Sequence, residues 1–278
     1  MCIRDRRWLL LQYVVNLSVC ALLPLLKAPT LVLVFTPTLL NALIWSRAAQ
    51  FSVKARQQQN GQPPLLHADD LGLAEGVDSA IIDLARSGQL RGASLLVNGP
   101  SAADAMKAWR GLADPPPLTL HLCLTEGHGL PNCPDLPTGF GRLLLASLLP
   151  WQRRRIAPQL RTVLQQQISR YRQLTGLHHI RLDGHQHIQL VPLVLDTVLD
   201  LAGAESITWV RTTREPLPEG LSMRLWWRSL QTGGLLKWLI LQLLSALAIP
   251  RLRRAGLATN QRFAGVLFSG SMLSLIHI

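Results

Sequence analysis

Leu65-Leu66-His67-Ala68-Asp69-Asp70-Leu71-Gly72 opens the stretch whose reading decides the fold. A short apolar strand over 65–67 ends at two adjacent carboxylates and a glycine. A helix is expected next, over 74–87, with Val77, Ile81, Leu84 and Ala85 on one face and Gly88 just past its end. The pattern then recurs. A strand is expected over 93–97, and a helix over 101–109 opened by Ser101 as N-cap. A strand over 118–122 is followed by a Gly/Pro-rich loop over 127–141. A long helix over 156–174 carries Ile156, Leu160, Val163, Ile168, Tyr171 and Leu174 on its apolar face. A strand over 179–183, a helix over 193–202 and a strand over 207–210 complete the series. Repeated βα units of this length predict an α/β fold with a parallel sheet, most simply a (β/α) barrel. In a barrel the chemistry gathers where strands end and βα loops begin.

Upstream the composition changes. Trp8 to Leu26 is a 19-residue run without charge, close to the length that crosses a bilayer. Lys27-Ala28-Pro29-Thr30 signals a turn, and a second apolar run over 31–45 is interrupted by Pro37 and Asn41. Arg7 precedes the pair, and Arg47, Lys54 and Arg56 follow it. Residues 1–56 are therefore expected to form a membrane hairpin with both ends in the cytoplasm. Gln57 to Pro64, polar with a Pro pair, reads as a linker over 57–64, which leaves 65–273 for the α/β domain. The stretch from Thr38 to Arg47 resembles the end of a GtrA-like polyprenyl-sugar membrane protein. The expected location is the cytoplasmic face of the inner membrane, or the cytoplasm if the hairpin does not insert. Met1 to Arg6 and Ser274 to Ile278 resemble translated sequencing adapters, and the chain is expected to be a fragment of a longer reading frame, truncated at its C-terminus.

The formal net charge is +12, from 28 Lys+Arg against 16 Asp+Glu. Such a surplus suits nucleic acid, an anionic membrane or an acidic substrate. Aromatic residues are only 5 %, and the sequence has no Gly-rich phosphate loop, zinc-finger spacing or aromatic-interleaved basic stripe. Much of the charge lies beside apolar segments, as in Arg153-Arg154-Arg155 and Arg251-Leu252-Arg253-Arg254, which a membrane face explains and nucleic acid does not. Cys2, Cys20, Cys123 and Cys133 form no C-x-x-C pair, which points away from a disulfide framework. The apolar run over 235–249 suits either a helix packed on the barrel or a membrane contact.

Three segments carry chemistry: His67-Ala68-Asp69-Asp70, His121-Leu122-Cys123-Leu124 and Asp183-Gly184-His185-Gln186-His187. Adjacent carboxylates are costly to bury unless a cation or a proton relieves them. At a strand end one can ligate a metal while the other faces the reacting centre. Two imidazoles and one carboxylate leave open positions on Zn²⁺ or a similar ion for water and a substrate oxygen. His185 and His187 are two apart, so on an extended segment they share one face. Taken singly, Asp-Asp before Gly72 suits a turn with a helix cap, His121 a core histidine, and His-x-His a loop. Their joint location at successive strand ends favours the site.

At these residues the chain from about Leu65 to Met272 resembles the YdjC-like carbohydrate deacetylase family, which includes chitooligosaccharide deacetylase and a hopanoid-biosynthesis-associated branch. The matching segments are His67-Ala68-Asp69-Asp70-Leu71-Gly72, Thr119-Leu120-His121-Leu122 with Thr125-Glu126-Gly127, Asp183-Gly184-His185-Gln186-His187, and Ala93 to Gly99. Phe263-Ala264-Gly265 with Ser269-Gly270-Ser271-Met272 is similar to the hopanoid branch. The resemblance implies a (β/α) barrel of the polysaccharide-deacetylase-like type. It also implies removal of acetyl from an N-acetylated carbohydrate, an oligosaccharide or a lipid-linked amino sugar, with one divalent ion, Mg²⁺ or Zn²⁺. Asp70, His121 and His185 match the metal ligands, Asp69 the base, His187 an acid or substrate contact, and Arg211 and Glu126 substrate-binding positions. His67 stands where the family has Asn, Gln189 where some members carry a further histidine, and the family's C-terminal His-Pro segment is expected beyond Ile278. A homodimer is the expected assembly, without nucleic acid. A sugar-lipid binding or scaffold protein that keeps the barrel without turnover is the alternative from another class.

Overall fold

The computed structural model describes residues 66–125, 130, 134, 136, 139–217 and 223–267. The expected hairpin over 1–56, the linker over 57–64, Glu126 and the segment from Ser269 to Met272 lie outside the described residues. The described residues belong to one compact unit, Pro64–Ile278.

Strands and helices alternate: β1 (His67–Leu71), α1 (Glu75–Arg86), β2 (Gly92–Leu95), α2 (Ala102–Arg110), β3 (Leu118–Leu122), α3 (Phe140–Leu148) and α4 (Pro150–Thr175). There follow β4 (Ile180–Gly184), a 3₁₀ turn (His185–Leu190), α5 (Pro192–Leu201), β5 (Ile207–Val210), α6 (Met223–Gln231) and α7 (Gly234–Arg254). The strands form one sheet in the order β1-β2-β3-β4-β5, with every neighbouring pair parallel. Among the described residues β1 and β5 are its edges, and Ala258 extends the β5 edge by a parallel bridge to Trp209. The central strands are short and largely apolar because helices cover a parallel sheet.

Leu71, Leu95, Leu120, Leu122 and Leu182 are wholly buried on the strands, each worth roughly 2 kcal/mol of transfer free energy. Against them pack Ile81, Ile82 and Ala85 of α1, Met106 and Trp109 of α2, Leu160, Leu164 and Ile168 of α4, and Val194 and Val198 of α5. Two polar side chains fix α4 to β3. Tyr171 donates its hydroxyl to the Leu118 carbonyl at 3.0 Å, and the buried Gln167 amide holds both Cys123 N and Cys123 O. Gly176, with φ 74, ends α4 in the left-handed conformation that favours glycine.

The structure corrects several local expectations. The first strand continues to Leu71, so Asp69 and Asp70 stand within it. Val77 is exposed, and Asp78 takes its place on the buried face of α1. Asp78 accepts from Gly72 N at 2.6 Å and from Ser101 Oγ at 2.5 Å. Ser101 therefore gives its hydroxyl to Asp78 rather than capping α2. The long helix begins at Pro150 rather than Ile156, and α3, which precedes it, has no counterpart in the sequence reading.

Candidate active site

The functional side chains come from consecutive strands. His121 on β3 lies directly opposite Asp183 on β4 in the parallel register. Their side chains meet, His121 Nδ1 to Asp183 Oδ1, at 2.7 Å. Ser94 on β2 donates its hydroxyl to Asp183 Oδ2 at 2.5 Å. Arg211, just past β5, brings Nη2 to within 2.6 Å of Asp183 Oδ2. A wholly buried carboxylate would be costly alone, and here three side chains satisfy it. Burial alone would raise the Asp183 carboxyl, but the Arg211 charge and the contact with His121 outweigh it and hold the group well below the usual carboxylate range.

Adjacent residues of a regular strand point to opposite faces. At Asp70 the backbone breaks that rule: φ is 67°, and the β1–β2 register shifts between Ala68 and Leu71. Both consecutive carboxylates thereby reach one centre. Non-glycine residues with positive φ are costly and cluster at functional sites. Asp70 Oδ1 lies 3.1 Å from His121 Nε2 and 2.8 Å from His185 Nδ1. One donor atom from each of the three residues falls within 4.8 Å of the others.

This donor set fits a divalent ion. One carboxylate oxygen and two imidazole nitrogens converge, and the far nitrogen of His121 is held by Asp183, as carboxylates commonly hold metal-bound histidines. Burial pulls the His121 imidazole down, but the Asp183 charge and hydrogen bond, with help from Asp70, push it up to about 10. Burial likewise opposes ionisation of Asp70, yet hydrogen bonds from His121 and His185 hold it well below the ordinary range. Asp70 and His121 thus form a seat for positive charge, filled either by a proton on His121 or by an ion.

Asp69 stands beside this group. Both its oxygens accept from Arg211 Nη1, at 2.7 and 2.9 Å. Arg211 is 5 % exposed, and it orients Asp69 and Asp183 together. His67 Nε2 lies 2.7 Å from Ser94 Oγ. Because Ser94 directs its one proton at Asp183, His67 is the donor in that pair. Burial, then Arg211, lowers the His67 imidazole to about 4. Gly92 makes room for it, since a Cβ there would sit 2.7 Å from His67 Nδ1. His67, Asp69 and Asp183 also offer three donor atoms within 4.8 Å of one another, but Arg211 already supplies the positive charge between those carboxylates.

The expectation that His185 and His187 share a face on an extended segment is overturned. Gln186 and His187 adopt φ 54 and 60 and start the 3₁₀ turn, because the chain must bend between Gly184 and the start of α5 at Pro192. His185 turns to Asp70, while His187 packs edge-on against Phe263 at 5.3 Å between ring centroids. Its Nδ1 is buried without a hydrogen-bond partner. Burial, then the charges of Lys237 and Arg211, lowers this imidazole to about 3. Gln189 is buried and donates to the Arg211 carbonyl at 3.0 Å. The sequence reading assigned no role to Ser94 or Asp183. Ser94 lies in a wholly buried strand and Asp183 opens the Asp-Gly-His-Gln-His segment, but the groups they meet are set by the strand register.

Among known proteins, a carbohydrate deacetylase from Mus musculus is 32% identical over 174 residues, covering 57% of this chain and 52% of that protein. A carbohydrate deacetylase from Homo sapiens is 31% identical over 174 residues, covering 57% and 50%. The chain thus spans about half the length of the curated relatives it matches. A crystal structure of an Enterococcus faecalis protein, described as a candidate for cellobiose-phosphate cleavage, aligns with TM-score 0.41 and 16% identity over 70% of this chain and 95% of that one. That likeness is too distant to carry an argument. The family model described as YdjC-like protein matches residues 65–275. With most of the chain, all five strands included, inside that match, the protein belongs to the YdjC-like family.

Proposed function

We propose that this domain hydrolyses the acetamide of an N-acetylated sugar. In this reading Asp70, His121 and His185 hold one divalent ion and Asp69 acts as the base. The observation that carries it is the convergence of Asp70, His121 and His185 beside an Asp69 whose carboxylate is oriented by Arg211. The similarity to proteins named carbohydrate deacetylase supplies the substrate class.

A divalent ion held by Asp70, His121 and His185 would supply Lewis-acid polarisation of the acetyl carbonyl and a lowered pKa for the attacking water. Asp69 accepts the proton as the water's oxygen adds to the acetyl carbon and returns it to the nitrogen as the C–N bond breaks, which leaves acetate and the free amine of the sugar. Arg211 keeps the Asp69 oxygens in place throughout. His187 serves as a substrate contact, because its buried Nδ1 is unpartnered and a bound hydroxyl or amide would satisfy it. Glu126 is assigned to the substrate from the family resemblance alone. Two imidazole donors favour Zn²⁺ over Mg²⁺.

The strand order supports a barrel. Each connection steps to the next position, with no reversal of the kind that marks a doubly wound sheet. We read the five strands as an arc of a (β/α) barrel within domain 65–273. The uncharged run from Trp8 to Leu26 supports a membrane hairpin and hence a lipid-linked substrate at the cytoplasmic face. The test is acetate release from N-acetylglucosamine oligomers or an N-acetylated glycolipid. Asp69→Asn should lower turnover by about 10²–10⁴-fold while metal binding persists; full activity in that variant would remove the base from the mechanism.

A further inference from the structure

We infer that the outer face of α6 and α7 is a docking surface for an anionic lipid bilayer. The inner face of α7 is committed to the domain: Leu241, Leu244, Ala248 and Leu252 are buried. Gln242 donates to the Thr213 and Glu215 carbonyls, and Ser245 Oγ accepts from Thr213 N at 3.0 Å. An ordinary surface helix would be polar on its other side. Here that side carries Leu236, Leu239, Leu243 and Leu247, exposed by 63%, 59%, 61% and 58%. Their spacings of three, four and four residues place them on one stripe. The stripe continues onto α6 in kind, where Met223, Trp227 and Leu230, one helical face, are exposed by 77%, 62% and 55%.

Charge decides the partner. Neither helix carries an acidic residue, whereas α6 holds Arg224 and Arg228, and α7 ends in Arg251, Arg253 and Arg254. Asp196 of α5 binds both Arg251 and Arg153, which ties the end of α7 to the start of α4. Trp151, Arg154 and Arg155, near the start of α4, are exposed. Exposed leucines flanked by arginines, with no carboxylate on either helix, match an acyl layer under anionic headgroups. A second copy of the chain would set like charges against each other across this face. The helix is long and apolar enough to span a bilayer, but its inner side is fastened to the core, so it lies on the membrane. The proposal stands independently of the deacetylase chemistry.

Hydrogen–deuterium exchange of the full chain tests it, because the readout is local to residues 223–254 whatever other segments do. The protein is compared in nanodiscs of equimolar phosphatidylcholine and phosphatidylglycerol, in nanodiscs of phosphatidylcholine alone, and in lipid-free buffer. Exchange over 223–254 should slow about tenfold only with phosphatidylglycerol. The slowing should be lost in Leu239→Glu/Leu243→Glu, which alters exposed positions and leaves the packed face intact. Equal exchange in all three conditions would overturn the proposal. So would protection already complete without lipid, which would show that protein covers the face.

Discussion

Asp183 has no solvent exposure, and its two oxygens meet His121, Ser94 and Arg211. Replacing it with alanine removes one of the two carboxylates that face the buried Arg211 guanidinium and one of the two that face the His121 imidazole, leaving Asp69 and Asp70 as the others. Asp183→Ala should cost about 3–5 kcal/mol of stability in urea unfolding and weaken metal binding by about 10–100-fold. Ser94→Ala is milder: it removes one donor from Asp183 and the acceptor of His67, and should cost about 1–3 kcal/mol. At this scale the sequence was most legible for the residues whose chemistry is unusual in a strand. Asp69, Asp70, His121 and His185 stood out, and the structure brings them together. Ser94 and Asp183 went unassigned because their part depends on the β2–β3–β4 register, which no local pattern reveals.

Two turns decide how the elements present these residues. Gly72 and Gly99 sit back to back where the β1–α1 and β2–α2 connections cross, and a Cβ on Gly99 would lie 2.0 Å from the Gly72 carbonyl oxygen. Gly99→Ala must push apart the connection that follows Asp70, at about 1–3 kcal/mol, seen as a lower Tm and a weaker metal site together. The strands and most helices were legible from apolar periodicity, and β3 and β5 match their expected ranges. The His-x-His segment was not. Its alternation suits a strand, but the buried Ile188, Gln189 and Leu190 and the entry to α5 impose a left-handed turn at Gln186 and His187. Val77 failed for a related reason: the buried face of α1 includes Asp78, which a count of apolar residues passes over.

For the molecule as a whole, the parallel α/β character was legible because repeated βα units admit few other arrangements. The role of the run over 235–249 was not, since hydropathy alone cannot separate a core helix from one facing lipid. α7 combines the two, with one side on the domain and a leucine stripe outside. The centre at the strand ends is assembled from β1, β3 and the turn after β4, so it exists only when the sheet is in register. Titration of the protein with Zn²⁺, followed by calorimetry, tests that assembly most directly. The account predicts one ion per chain, binding lost in Asp70→Asn and kept in Asp69→Asn. Undiminished binding in Asp70→Asn, or no bound ion in the unaltered protein, would contradict it.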